Sequence, residues 1–339
     1  MCKKIALIIF VLSMLTGCYD NRETDTLATV MAVGVDLCED GRKYTFAVAD
    51  TGGYSGESKG DSASLICFTQ EGRNIDDAVD KLNRKLSKKL SFSHLSALVF
   101  SDYAARSDMY DEVSYLEKKI SVRPQTMIAV ANESSESYLK TLKPDLEANP
   151  EKYFQNVFSK NESYVSTLRL SDFTNSYHGK TTAFAPLIKM RTEADKLSEE
   201  DTYISGSALI IGGKMTALIE DNWVMGLIHT KKTVNYDGIR CKSVKNAVID
   251  VNTDKVNPRA DIYLKVNTNK KASSSELEKN MEVILTEYAS KGIDIADVVS
   301  HAKKNFVLQR DYENYDFDIK NTEFNVNAQI VVKEDEDDI

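Results

Sequence analysis

The sequence predicts an α+β, mixed α/β fold of two to three small domains, each a mixed or antiparallel sheet packed with helices. Three observations carry this. Short strand-like apolar segments alternate with helices whose apolar residues recur at three- and four-residue spacing in the first half of the chain. A charged stretch without apolar periodicity, Arg191 to Asp201 (RTEADKLSEED), divides the chain. A second series of strands and two consecutive helices then follows, opened by a glycine-turned hairpin.

The elements follow in order. Leu27 to Val35 (LATVMAVGV) reads as a buried strand, and Lys43 to Ala49 as the next, with Tyr44, Phe46 and Val48 alternating. Asp50 to Ser64 is rich in Gly and Ser and reads as a loop. Ser64 to Thr69 returns to strand character. Ile75, Val79, Leu82, Leu86 and Leu90 then mark an amphipathic helix, with Asn74 as N-cap, Asp76 and Asp77 in its first turn, and Lys88 and Lys89 in its last. Leu95 to Phe100 is a strand, Val113, Leu116 and Ile120 a short helix, and Gln125 to Ala131 a strand. Pro144 and Pro150 punctuate a weaker helical region reaching about Leu170.

Beyond the charged stretch, Tyr203 to Ile211 and Met215 to Ile219 flank Gly212-Gly213 as a hairpin. Ala247 to Val251 and Ala260 to Val266 are further strands. Ser275 and Glu278 form a capping box for a helix carrying Leu277, Met281, Ile284, Leu285 and Tyr288. Asp294 caps a second helix with Ile295, Val298, Val299, Ala302 and Phe306 inward. Phe324, Val326, Ala328, Ile330 and Val332 share one face of the last strand, before a solvated acidic tail. The expected division is therefore 1–17 signal peptide, 18–190 N-terminal α/β domain, 200–333 C-terminal region with a further split at 256/257 left open, and 334–339 acidic tail.

The first residues say where the chain goes. Lys3 and Lys4 precede an apolar stretch, Ile5 to Leu15, too short to span a bilayer, and Thr16-Gly17 supplies small residues for cleavage. Leu15-Thr16-Gly17-Cys18 resembles a bacterial lipobox, so Cys18 is the expected lipidation site. Each buried CH₂ contributes roughly 0.8 kcal/mol, so two or three acyl chains anchor stably where one is marginal. The net charge of −9 becomes −11 once Lys3 and Lys4 leave with the signal. That argues against nucleic acid as a partner and against adsorption to anionic lipid by charge alone.

Chemistry is sparse. Cys38, Cys67 and Cys241 remain in the mature chain as buried small hydrophobes or as one disulfide plus a thiol, with no pair favoured. No C-x-x-C or H-E-x-x-H spacing occurs, so neither metal nor cofactor is expected. Asp50-Thr51-Gly52 resembles an aspartic-protease triplet, but no second one exists to share its proton. Gly206 to Lys214 lacks phosphate-loop spacing and has Met215 where Ser or Thr would bind magnesium. His94 in SFSHLSALVF has neither a G-x-S-x-G elbow nor a placed acid. Trp223, the single tryptophan, reads as packing among Val224, Met225 and Leu227. No catalytic residue is assigned, and a non-enzymatic protein is expected.

Gly17-Cys18-Tyr19-Asp20-Asn21-Arg22-Glu23, followed by a strand ending Gly34-Val35-Asp36, resembles the opening of the Ger(x)C family of spore-germination lipoproteins. His94-Leu95 with the strand to Ser101-Asp102, the Arg-Pro segment within Ile120 to Ala131, and Gly206 to Lys214 with Leu218-Ile219-Glu220 and Gly226-Leu227 are similar to later parts of that family. Tyr19 stands where the family usually has Trp. Ala302 to Phe306 and Arg310 to Phe317 lack its Phe-Gly segment. The resemblance implies a mixed α/β C subunit of a germinant receptor, beside an A-type and a polytopic B-type subunit. It would sit on the outer face of the spore inner membrane, where nutrient sensing starts release of ions and dipicolinate. Cys18 alone is carried over as a functional residue. A solute-binding lipoprotein of an importer is the first rival reading, and a surface hydrolase using Asp50 or His94 the second.

Overall fold

A computed structural model describes residues 26–49, 65–120, 122–142, 150–160, 167–179, 181–190, 202–219, 222–230, 233–252, 258–304 and 317–333. The signal segment, Cys18, the loop at 50–64 with Asp50-Thr51-Gly52, the charged stretch 191–201, Phe306 and the tail 334–339 lie outside the described residues.

Among the described residues the first sheet has ten strands: β1 Leu27–Cys38, β2 Gly41–Ala49, β3 Leu65–Gly72, β4 Lys89–Ser91, β5 Ala97–Ser101, β6 Met127–Ala131, β7 Leu168–Arg169, β8 Thr182–Met190, β9 Thr202–Ile211 and β10 Lys214–Ile219. Their order is β10-β9-β8-β6-β5-β1-β2-β3, with β4 on β1 and β7 on β6. β1, β5, β6 and β8 are parallel to one another, while β2, β3, β9 and β10 extend the sheet with antiparallel pairs.

Among the described residues six helices cover its two faces: α1 Ile75–Asn83, α2 Asp102–Arg106, α3 Tyr110–Lys118, α4 Ser135–Thr141, α5 Pro150–Lys160 and α6 Leu170–Gly179. Parallel strands need crossovers of this kind, and their burial on both sides explains the unbroken apolar runs. One face presents bulky Val33, Tyr44, Phe46, Leu98 and Phe100 to α1, α2, α3 and α6. The other presents Ala32, Ala47, Ala97, Ala129 and Ala131. Those small residues leave room for Tyr138 and Leu139 of α4 and the aromatics Tyr153, Phe154 and Phe158 of α5. Polar groups also enter the first face. Glu112 on α3, 2% exposed, takes Arg42 Nε at 3.1 Å and the Tyr44 hydroxyl at 2.9 Å. Burial raises the Glu112 carboxyl above its ordinary value, against the pull of Arg42.

The second sheet runs β11 Thr233–Tyr236, β12 Ile239–Ser243, β14 Arg259–Thr268, β13 Val248–Asn252, with β15 Glu323–Val332 parallel to β14. Helices α7 Asn222–His229, α8 Ser274–Ser290 and α9 Val298–Lys304 pack on its apolar face. That face joins Phe184, Leu209, Ala217 and Ile219 of the first sheet in one cluster, while Ala208, Ile210 and Met215 face the first core. Strands β9 and β10 are thus a wall shared by both cores.

Several expectations shift. The expected division at 191–201 does not coincide with a division between sheets. β9 pairs with β8 across it, so the hairpin completes the first sheet, which ends at Ile219. The helix expected to reach Leu90 stops at Asn83, whose side-chain oxygen accepts the Leu90 amide at 2.9 Å. Leu90 belongs instead to β4, on β1. The capping box moves two residues earlier: Ser273 caps α8 through the Glu276 amide at 3.4 Å. Glu278 is used elsewhere. With Glu282 one turn on, it accepts the β15 amides of Ala328 at 2.7 Å and Val326 at 2.9 Å, closing that sheet edge. Asp294 does take the Val298 and Val299 amides, at 2.9 and 2.8 Å. On β15, Phe324, Val326 and Ala328 are buried but Val332 is 46% exposed.

Candidate functional site

The connection leaving β5 enters α2 on the bulky face, and that leaving adjacent β6 enters α4 on the alanine face. Diverging connections leave a crevice beyond the carboxyl ends of parallel strands, where α/β sheets place their sites. Here it is an open cleft of about 550 Å³, lined by Asp36, Leu37, Ser101, Tyr103, Asn132, Glu133 and Ser134. Tyr103, 75% exposed, and Leu37, 44% exposed, give it apolar lips.

The β1 end of the cleft is a latch. Asp36 is buried at 6% exposure, and both its oxygens are used. Oδ1 accepts the Ser135 amide at 3.0 Å, and Oδ2 accepts the Ser135 hydroxyl at 2.7 Å and the Glu136 amide at 3.0 Å. A carboxylate at the first turn of α4 meets amides that lack helical partners. Gly34, two residues earlier on the same strand face, makes the approach possible. A Cβ there would lie 2.7 Å from Ser135 Oγ and 3.0 Å from Leu139 Cδ1. So the Gly-hydrophobic-Asp spacing has a local cause: the glycine admits the helix and the aspartate holds it.

Glu136 ties the same helix to the neighbouring strands. Its carboxylate takes Lys43 and Lys140 at 2.5 Å each, and the Thr69 hydroxyl at 3.0 Å. Burial opposes its charge, but those donors prevail and push its pKa from 4.5 down to about 2. Asp36, with both oxygens engaged, holds the backbone at the start of α4.

Of the other residues singled out in the sequence, Ser101 and Asp102 come to this edge. Ser101 caps α2 through the Ala104 amide at 3.3 Å, and Asp102 pairs with Arg106 at 3.0 Å. His94 is exposed before buried Leu95, and its carbonyl accepts the Ser96 hydroxyl. The Arg123-Pro124 segment is a joint: the Pro124 carbonyl accepts the Ser171 amide at 3.2 Å, and Thr126 Oγ1 donates to the Leu95 carbonyl at 2.8 Å. Gly212 and Gly213 both have positive φ, as a tight hairpin requires. At Gly226 a Cβ would fall 2.1 Å from Val234 Cγ1, so α7 can touch β11 only with glycine there. Trp223 packs on Tyr236, ring centroids 4.6 Å apart. Cys38, Cys67 and Cys241 are free thiols, and burial pushes Cys67 and Cys241 up to about 11. Among the described residues no group of His, Cys, Asp and Glu could hold a metal ion. The Asp36–Ser135 link itself spans 99 residues, and no local pattern announces it.

The spore germination protein N-terminal domain family matches residues 20–190. Spore germination protein KC of Bacillus subtilis (strain 168) is 28% identical over 151 residues, covering 42% of this chain and 37% of that protein. Putative spore germination protein YfkR of the same organism is 24% identical over 143 residues, covering 41% and 37%. The chain's match thus spans little more than a third of either relative's length. The crystal structure of the GerBC protein aligns with a TM-score of 0.48 at 14% identity, over 88% of this chain and 96% of that one. With its N-terminal half matched across β1 to β8, the chain belongs to the spore germination protein N-terminal domain family.

Proposed function

We propose that the chain is the non-enzymatic C-type lipoprotein subunit of a nutrient germinant receptor. Acyl chains on Cys18 hold it on the outer face of the spore inner membrane, where it docks with the A-type and B-type membrane subunits. The carrying observation is the family match over residues 20–190, which begins two residues after the lipobox cysteine. Among the described residues no helix is long and apolar enough to cross a membrane, so a lipid tether supplies the attachment this role needs. In this reading the latched carboxyl edge is scaffold, and the exposed Tyr103 and Leu37 suit a protein contact, since an aromatic beside a cleft is a typical anchor.

The test is deletion of the gene in its spore-former, with germination in response to single nutrients as readout. Loss of response to at least one nutrient, restored by the wild-type gene, is expected. An unchanged response to every nutrient, in a strain without other receptors, refutes the role.

A further inference from the structure

A second cleft, of about 620 Å³, lies between the β10 edge of the first sheet and the end of α8. One wall is Arg106 at the end of α2 with Thr216, Ala217 and Leu218 of β10. The other is Tyr288, Lys291 and Ile293 at the end of α8. Its lining carries two cations, each paired with a carboxylate that stands outside the lining, Asp102 for Arg106 and Glu287 for Lys291.

Both cations are aimed from their own helices. Arg106 Nε is held by Asp102 Oδ2 at 3.0 Å, and Lys291 Nζ by Glu287 Oε1 at 2.6 Å, each one helical turn earlier. Lys291 also sits 5.7 Å above the Tyr288 ring. Arg106 spends only Nε in this way, and its Nη atoms have no protein partner among the described residues. A guanidinium fixed at Nε presents its Nη pair as a fork for a planar oxyanion, and the ammonium adds a second donor from the facing wall. Ala217, Leu218 and Ile293 supply an apolar floor. The volume falls within the range of small-molecule sites.

We infer that this cleft binds a small organic anion, with a carboxylate or phosphate between Arg106 and Lys291 and an apolar body on Ala217, Leu218 and Ile293. Such a ligand touches both units at once. Its binding therefore stiffens the junction beside the β9–β10 wall. The chemistry is independent of the germination reading and is testable without it.

The test uses the mature chain from residue 18 with Cys18→Ala, titrated calorimetrically with benzoate, phenyl phosphate, inorganic phosphate, benzyl alcohol and benzylammonium. Saturable binding of benzoate or phenyl phosphate is expected, with Kd on the order of 1 mM or tighter. Benzyl alcohol and benzylammonium should not bind, and inorganic phosphate alone should bind more weakly for want of the apolar contact. Arg106→Gln and Lys291→Gln should each weaken binding about tenfold, the loss of one charged contact. Arg106→Lys keeps the charge but removes the fork, and should weaken a carboxylate measurably while leaving the far-ultraviolet spectrum unchanged. Failure of both organic anions to bind at about ten times that concentration would overturn the inference. So would equal affinity in the wild-type chain and the Arg106→Gln, Lys291→Gln double variant.

Discussion

Gly34→Ala probes the latch directly. The added methyl would sit 2.7 Å from Ser135 Oγ, 3.0 Å from Leu139 Cδ1 and 3.2 Å from Ser135 Cβ, between a central strand and the start of α4. Overpacking of this kind costs about 1–3 kcal/mol. Pushing Ser135 away also weakens its hydroxyl bond to the Asp36 carboxylate, and a hydrogen bond to a charged group contributes about 1.5–3 kcal/mol. Reduced freedom of the unfolded chain returns roughly 0.5 kcal/mol. The net expectation is a loss of about 2–4 kcal/mol in urea unfolding of the Cys18→Ala chain. Ser135→Ala alone removes one of three donors to Asp36 and should cost about 1.5–3 kcal/mol. The double variant is the informative one. Once Oγ is gone the closest approach disappears, so its loss should fall short of the sum by at least about 1 kcal/mol. Additivity within about 0.5 kcal/mol would refute the idea that Gly34 exists to admit Ser135.

Glu136→Gln should lose about 1 kcal/mol at pH 7, because solvent screens much of the pairing with Lys43 and Lys140 that holds its pKa at about 2 instead of 4.5. Because the folded-state value is depressed, this contribution is present above about pH 4.5 and fades as pH falls toward 2. Wild-type and variant urea midpoints should therefore converge over that window; a constant gap would count against it. Gly226→Ala should destabilise through contact with Val234 Cγ1, and Val234→Ala should recover much of the loss in thermal unfolding. At pH 8, iodoacetamide should modify partly exposed Cys38 before Cys67 and Cys241, whose thiols stay protonated to about 11, as peptide mass mapping will read.

Much of the fold was legible where one element faces one core. β1, β2, α1 and β14 follow their apolar spacing because burial alone selects those residues. The spacing misled at Leu90, which continues the three-and-four pattern of α1 yet sits on β4, because strand and helix both face the same cluster. Strand β8 escaped notice because Pro186 interrupts an otherwise apolar run. In the structure Pro186 lies opposite Ser207 of β9, and the β6 pairing begins only after it, at Leu187 and Ile188. Ser275 and Glu278 matched the pattern of a helix start, but the pattern recurs at Ser273 and Glu276, and only packing chooses between them. For the site, the residues Gly34, Asp36 and Ser101 were visible as motif members. Their meeting with Ser135 was not, since it depends on the sheet order β6-β5-β1. The charged cleft was hidden for the same reason, as Arg106 and Lys291 lie on different units.

In the proposed function a member of this family acts from the membrane surface through acyl chains on Cys18. The most direct measurement expresses Cys18→Ala as the sole copy in spores and follows nutrient-triggered germination beside the amount of chain in the inner-membrane fraction. Loss of both, with urea stability of the purified chain unchanged, is the predicted result. Full membrane retention and normal germination in that variant would contradict it.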